Sequence, residues 1–236
     1  MAACHFRSVS LLTRTHPLTS NVEEQLNRLR DQSQSPTTSS SSLSQKLSGL
    51  RELYDSVNDF LELPLTQQAL AHQDNIKMVE DLLEGLLRLL DVCGRTQEIF
   101  SQLKACVQQL ESSLRRRNRV DGLTSEVEAY MGTRKLLKKA ASKCFRDLKT
   151  KEKMKKESNS VAAISMLKQV EEISVVMFQS SLSFISQSKT RTSGWSVVSK
   201  LVLSRRVACE EAEDNEMEKI DDELGALKAS KKKHRN

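Results

Sequence analysis

Cys4, Cys93, Cys106, Cys144 and Cys209 are the side chains in this sequence best suited to nucleophilic or metal chemistry, and their spacing serves neither. A zinc site draws on Cys or His pairs a few residues apart, and no C-x-x-C occurs here. An odd number of widely spaced cysteines argues against a disulfide framework and fits a reducing compartment. Cys93, Cys106 and Cys144 fall on or beside apolar helical positions, where a thiol acts as a small core residue. Nucleophilic catalysis by cysteine also needs a positioned histidine. Of His5, His16, His72 and His234, three lie in the tails. His72 sits with Gln67, Gln68, Gln73 and Asp74 on what reads as a polar, exposed helix face.

Other signatures of catalysis are missing. The sequence has no G-x-x-x-x-G-K-[ST], G-x-G-x-x-G, G-x-S-x-G or H-E-x-x-H. Its carboxylates are spread along amphipathic stretches as solvated faces, not gathered as an acid–base pair. No catalytic residue, metal ligand or cofactor is assigned, no small-molecule substrate is evident, and the chain is expected not to be an enzyme.

Charge offers a second kind of chemistry, recognition of anions. Residues 115–156 hold fifteen Lys/Arg against five acids, whereas residues 52–91 hold nine acids against two bases and residues 210–223 nine acids against one lysine. Faces of opposite sign can complement one another across a bundle. The alternative is an anionic surface, with Lys151, Lys153, Lys155 and Lys156 as the expected contacts. Nucleic acid is disfavoured, because Tyr130 and Phe145 are the only aromatics in the basic segment and no base-reading module is present.

These side chains must be positioned by helices. Apolar residues are 38% of the chain, charged residues 29% and aromatics 4%, a composition of solvent-washed helices. No strand alternation persists, and no apolar run approaches the ~18–20 residues of a membrane span. The expected fold is all-α, an elongated antiparallel bundle with coiled-coil-like stripes. Residues 1–19 read as a disordered tail, favoured over an organelle transit peptide. The spacing Ser20-x-x-Glu23 predicts a short capped helix over 20–31. Residues 32–42 read as a flexible Ser-rich linker, 43–229 as the bundle domain and 230–236 as a basic tail.

Within the bundle, Leu43, Leu47, Leu50, Tyr54, Val57 and Leu61 share one stripe. Pro64 should end that helix, with Thr66 capping the next, which runs to about Val92 and stops at Gly94. That helix is apolar on more than one face, which places it at the centre. Further helices are expected from about Thr96 to 114, from 125 to 149 after a turn at Asp121-Gly122, and from 160 to 186. A short helix should begin at Trp195, and an acidic one should bury Met217, Ile220, Leu224 and Leu227.

Several segments together, among them "SGLRELYDSVNDFLELPLTQQAL", "EDLLEGLLRLLDVCG", "VEAYMGTRKLLKKA" and "SGWSVVSKLVLSRRVACEE", resemble a land-plant domain-of-unknown-function family related to the BYPASS proteins. The resemblance runs in order from His5 to about Glu223. It implies a plant protein with no known enzymatic activity, associated with root and shoot development, and it carries over no catalytic residues. Family members continue past the acidic helix into another amphipathic helix, where this chain stops at "KKKHRN". The resemblance thus implies a truncated C-terminus or a lost bundle member whose groove a partner or a second copy would fill. The expected role is protein interaction or self-association, with Trp195, Val198 and Leu201 as the partner surface. Peripheral membrane association is the alternative. A cytoplasmic location is favoured over plastid or membrane periphery.

Overall fold

The computed structural model describes residues 16–116, 120–149, 161–186 and 215–233. Helices α1 (Pro17–Gln34), α2 (Ser40–Leu61), α3 (Pro64–Ala71), α4 (Ile76–Arg115), α5 (Val120–Lys149), α6 (Ala162–Ser186) and α7 (Glu216–Lys233) account for nearly all of them. No strand occurs among the described residues, so the fold is all-α as expected.

Helix α1 starts earlier than the Ser20 capping box predicts. Pro17 occupies its first turn, where its fixed φ favours a helix start, and His16 Nδ1 accepts from Leu18 N at 3.3 Å. The helix then buries Val22, Leu26 and Leu29, the stripe the spacing predicts. It packs on α2 where Gly49 permits close approach. A Cβ at Gly49 would lie 2.9 Å from Leu29 Cδ2.

The Ser-rich stretch between α1 and α2 is not the free linker its composition suggests. Ser39 caps α2 by accepting from Ser42 N at 3.1 Å, so Ser40 to Ser42 are already helical. Lys46 is buried, and its Nζ donates to Ser35 O and Thr37 Oγ1, each at 2.7 Å. Burial pushes the Lys46 pKa down from the usual lysine range. Thr37 Oγ1 also lies 2.7 Å from Ser180 Oγ of α6. Distant partners therefore order a segment that could not bury anything by itself. The first helix and the linker are packed into the bundle rather than standing apart from it.

Pro64 ends α2 as predicted, with Leu63 held extended. Thr66 is not the cap, because Pro64 itself opens α3 and Thr66 lies buried inside that helix. His72 ends α3 in extended conformation, and a 3-10 turn at Gln73–Asn75 follows. Asn75 Nδ2 ties that turn back to Ala69 O at 2.7 Å.

The largest departure is α4. The two helices expected on either side of Gly94 are one helix of 40 residues, about 60 Å long at the α-helical rise. Its buried face runs Leu82, Gly85, Leu89, Val92, Thr96, Ile99, Leu103 at alternating spacings of three and four. That stripe crosses Gly94 unbroken, and its burial outweighs a mid-helix glycine penalty of ~1 kcal/mol. Nothing lies within 4 Å of a Cβ built on Gly94. Gly94→Ala is therefore expected to stabilise the fold by ~1 kcal/mol, read as a higher midpoint in thermal unfolding. Likewise Asp121-Gly122 is not a turn, because α5 already begins at Val120.

Helix α6, not the leucine-rich stretch of α4, sits at the centre. Its Ile164, Val170, Met177, Leu182 and Ile185 are almost wholly buried, and it packs on α1, α2, α3, α4 and α5. Two polar residues tolerate this position by bonding within the helix. Ser174 Oγ donates to Val170 O at 2.7 Å and Ser181 Oγ to Met177 O at 2.8 Å. The Ser174 hydroxyl also lies 3.0 Å from Tyr54 Oη of α2. Leu83, Leu87 and Leu90 of α4 face water instead.

Helices α4 and α5 form a long antiparallel pair. Arg95 Nη1 meets Asp147 Oδ2 at 2.9 Å towards one end, and Gln109 Nε2 meets Glu126 Oε2 at 3.0 Å towards the other. Helix α7 starts where α6 stops. Asn215 Nδ2 donates to Phe184 O at 2.7 Å, and Asn215 Oδ1 accepts from Met217 N at 2.9 Å. Glu216 binds the start of α2 and the loop before it, its N donating to Thr38 O at 2.9 Å and its Oε2 accepting from Ser40 N at 2.8 Å. From there α7 runs antiparallel to α5 and closes a small second core with Leu110, Val127, Tyr130 and Leu224.

Candidate interaction surfaces

Helix α5 places Tyr130, Arg134 and Lys138 one helical turn apart on one face, at i, i+4 and i+8. The buried positions of α5 run Val127, Tyr130, Arg134, Leu137, Ala141, Cys144, so a tyrosine and an arginine occupy core positions. Asp221 of α7 meets all three. Its Oδ2 is 3.3 Å from Arg134 Nε and 2.7 Å from Lys138 Nζ, and its Oδ1 accepts from Tyr130 Oη at 3.4 Å. The Arg134 side chain is 2% exposed and that of Asp221 9%. Burial, with the Asp221 charge as a second cause, pushes the Tyr130 phenol up to about 12. The phenol therefore stays protonated and donates to the carboxylate.

This contact corrects the face expected for the last helix. Met217, Asp221 and Leu224 point inward, while Ile220 and Leu227 are 42% and 48% exposed. Arg134 needs an anion at the core position, so α7 turns its aspartate there rather than its full apolar stripe. Arg134 is still under-used. Its Nε, Nη1 and Nη2 are buried and make no hydrogen bond among the described residues, Nε meeting Asp221 as an ion pair only.

Among the described residues Cys93, Cys106 and Cys144 are free thiols, while Cys4, Cys209, His5 and His234 lie outside them. Cys93 is exposed, Cys106 half-buried and Cys144 buried. Burial pushes the Cys106 and Cys144 thiols up, away from thiolate. His72 Nδ1 lies 3.6 Å from Asp74 Oδ2 in an exposed pair. No group of three or more metal-ligating side chains forms among the described residues. None of their helices is long and apolar enough to cross a membrane.

Among the described residues, one apolar stripe and one cationic face are open to a partner. Leu83, Leu87 and Leu90 form an apolar stripe along α4, 53%, 66% and 68% exposed. On α5, Lys135, Lys139 and Lys143 share an exposed face with Leu136, which is 66% exposed. The residues singled out from sequence, Trp195, Val198 and Leu201 together with Lys151, Lys153, Lys155 and Lys156, lie outside the described residues. Sequence reasoning missed the Asp221 cluster because each member reads alone as a solvated charge. The available signal was Val127-x2-Tyr130-x3-Arg134-x2-Leu137, which carries the 3-4 register of the α5 core through two polar residues.

The geometry defines an all-α bundle around one buried helix, with open apolar and cationic faces along its long α4–α5 pair. The family model described as Protein BPS1 matches residues 46–235, from within α2 to the end of the basic tail, and the chain belongs to that family. It is a plant family related to the BYPASS proteins, and its biochemical function is unknown. No curated protein and no solved structure matches the chain.

Proposed function

We propose that the protein is a non-catalytic interaction protein that acts in root and shoot development by holding protein partners. The observation that carries this reading is the exposed stripe of Leu83, Leu87 and Leu90 on α4. Single exposed leucines are ordinary, but three on one helix face are the pattern by which a second helix docks. Each is half to two-thirds exposed and leaves roughly 1–2 kcal/mol of burial energy unused in the free chain. The apolar set Trp195, Val198 and Leu201 extends the same reading.

Proximity labelling in plant cells tests it. The Leu83→Glu/Leu87→Glu/Leu90→Glu chain should keep its helical circular dichroism and lose most of the proteins labelled by the wild type. An unchanged labelled set would remove α4 from the account.

The cationic face of α5, with Lys135, Lys139 and Lys143 around Leu136, favours a second reading, peripheral binding to anionic lipid. Lys151, Lys153, Lys155 and Lys156 would add to it. Binding to phosphatidylserine vesicles should then appear at low salt, weaken as salt rises and disappear when those four lysines become glutamate. Absence of vesicle binding at low salt rejects it.

A further inference from the structure

We propose that α7 is a displaceable occupant of a helix-binding groove, and that this groove takes an acidic amphipathic helix from a protein partner in its place. The groove lies between α4 and α5 at the end that α6 does not cover. Leu110 and Val127 line it, and Tyr130, Arg134 and Lys138 supply a phenol, a guanidinium and an ammonium along one face. Its preferred guest is visible in the occupant. Asp221 meets all three polar groups, and Leu224, three residues on, fills the apolar floor.

Two observations make α7 a replaceable guest rather than a permanent member of the core. First, it buries few apolar side chains of its own, Met217 and Leu224, while Ile220 and Leu227 stay nearly half exposed. Second, the receptor has unused capacity. Arg134 is buried with Nε, Nη1 and Nη2 all without a hydrogen bond among the described residues, so the ion pair with Asp221 leaves its donors unfilled. A guanidinium can hold a carboxylate through two parallel bonds, and a guest that supplies more acceptors than Asp221 gains where α7 leaves donors unfilled. Charge complementarity selects the class. Two cations and a phenol in a desolvated groove favour an acidic helix and reject a basic one. The proposal goes beyond the α4 leucine stripe and stands without it.

The probe is a fluorescent synthetic peptide of residues 215–229, read by anisotropy against the full chain. In the wild type the tethered α7 competes at an effective concentration on the order of millimolar, so the free peptide should bind weakly. In the Asp221→Ala chain the internal guest is weakened and the groove intact, and the peptide should bind at least about tenfold tighter. Adding Arg134→Gln should abolish that gain, and a peptide carrying Asp221→Asn should not show it. Equal binding to wild-type and Asp221→Ala chains overturns the proposal, as does equal binding of the Asn peptide. If Asp221→Ala loses its native circular dichroism, the Leu224→Ala chain, opened from the apolar side, must show the same gain. Loss of native structure in both variants also overturns it, since a displaceable helix must leave the bundle folded.

Discussion

Asp221→Ala is expected to weaken the folded chain by about 3–5 kcal/mol, the usual loss when one partner of a buried ion pair is removed. The reason is the group left behind. Arg134 is 2% exposed, and without Asp221 its charge has no carboxylate within the groove. Lys138 and Tyr130 lose the same contact, and the Lys138 charge then adds to the cost of the Arg134 charge beside it. The loss has a ceiling set by how α7 is attached. Once keeping Arg134 dry costs more than α7 docking contributes, α7 leaves and water reaches the guanidinium. The expected phenotype is therefore a two-stage unfolding curve, with α7 released first and the bundle unfolding later. A paired replacement separates the charge from the contact. Asp221→Leu together with Arg134→Met removes both charges and keeps apolar volume, and it should be near neutral or stabilising. Chemical denaturation of the three chains checks this, and a single-variant loss below about 1 kcal/mol with α7 still docked would mean that the pair is effectively solvated.

Leu182→Ala should cost about 2–5 kcal/mol, while Leu87→Ala should cost less than about 0.5 kcal/mol. Leu182 is 0% exposed within α6, and Leu87 is 66% exposed on α4. Truncating Leu182 leaves a cavity lined by several helices, and such a site cannot collapse without moving all of them. Truncating Leu87 removes side-chain surface from water and touches no core. A comparable loss for the two residues in urea unfolding would place the centre of the bundle elsewhere.

Local patterns carried much of this fold. The stripe Val22, Leu26, Leu29 and the break at Pro64 are both legible, because 3-4 spacing and the missing proline N–H act within a few residues. Misreadings arose where a distant partner overrides a local signal. Gly94 followed by Thr96 carries the marks of a helix stop and a new start, yet Val92 and Thr96 are both buried in one helix, so the face continues through the glycine. The serines of 39–42 look like linker until Lys46, Ser180 and Glu216 are seen to bind their neighbours. The central place given to Leu83, Leu87 and Leu90 failed for a related reason. Apolarity on several faces marks a helix for burial, but another helix, α6, is more apolar all round and takes the position.

The candidate surfaces were less legible than the fold. Asp221 belongs on the α7 inner face only because Arg134 and Lys138 stand opposite; the α5 register marks Arg134 as a core position but does not record which residue pairs with it. Family membership adds a plant setting and no chemistry. What can be read is where side chains leave their own core unsatisfied, as the α4 leucines and the Arg134 guanidinium do.

Helix α7 is thus proposed as a latched, separately releasable helix on a bundle centred on α6. Hydrogen exchange of the full-length wild-type and Asp221→Ala chains, followed by mass spectrometry, tests it most directly. In the wild type, α6 should show the slowest exchange and α7 an intermediate rate, set by its own opening. In Asp221→Ala, α7 and the face of α5 around Tyr130 should exchange much faster while α6 keeps its protection. Equal acceleration of α6 and α7, or no change in α7, would contradict the account.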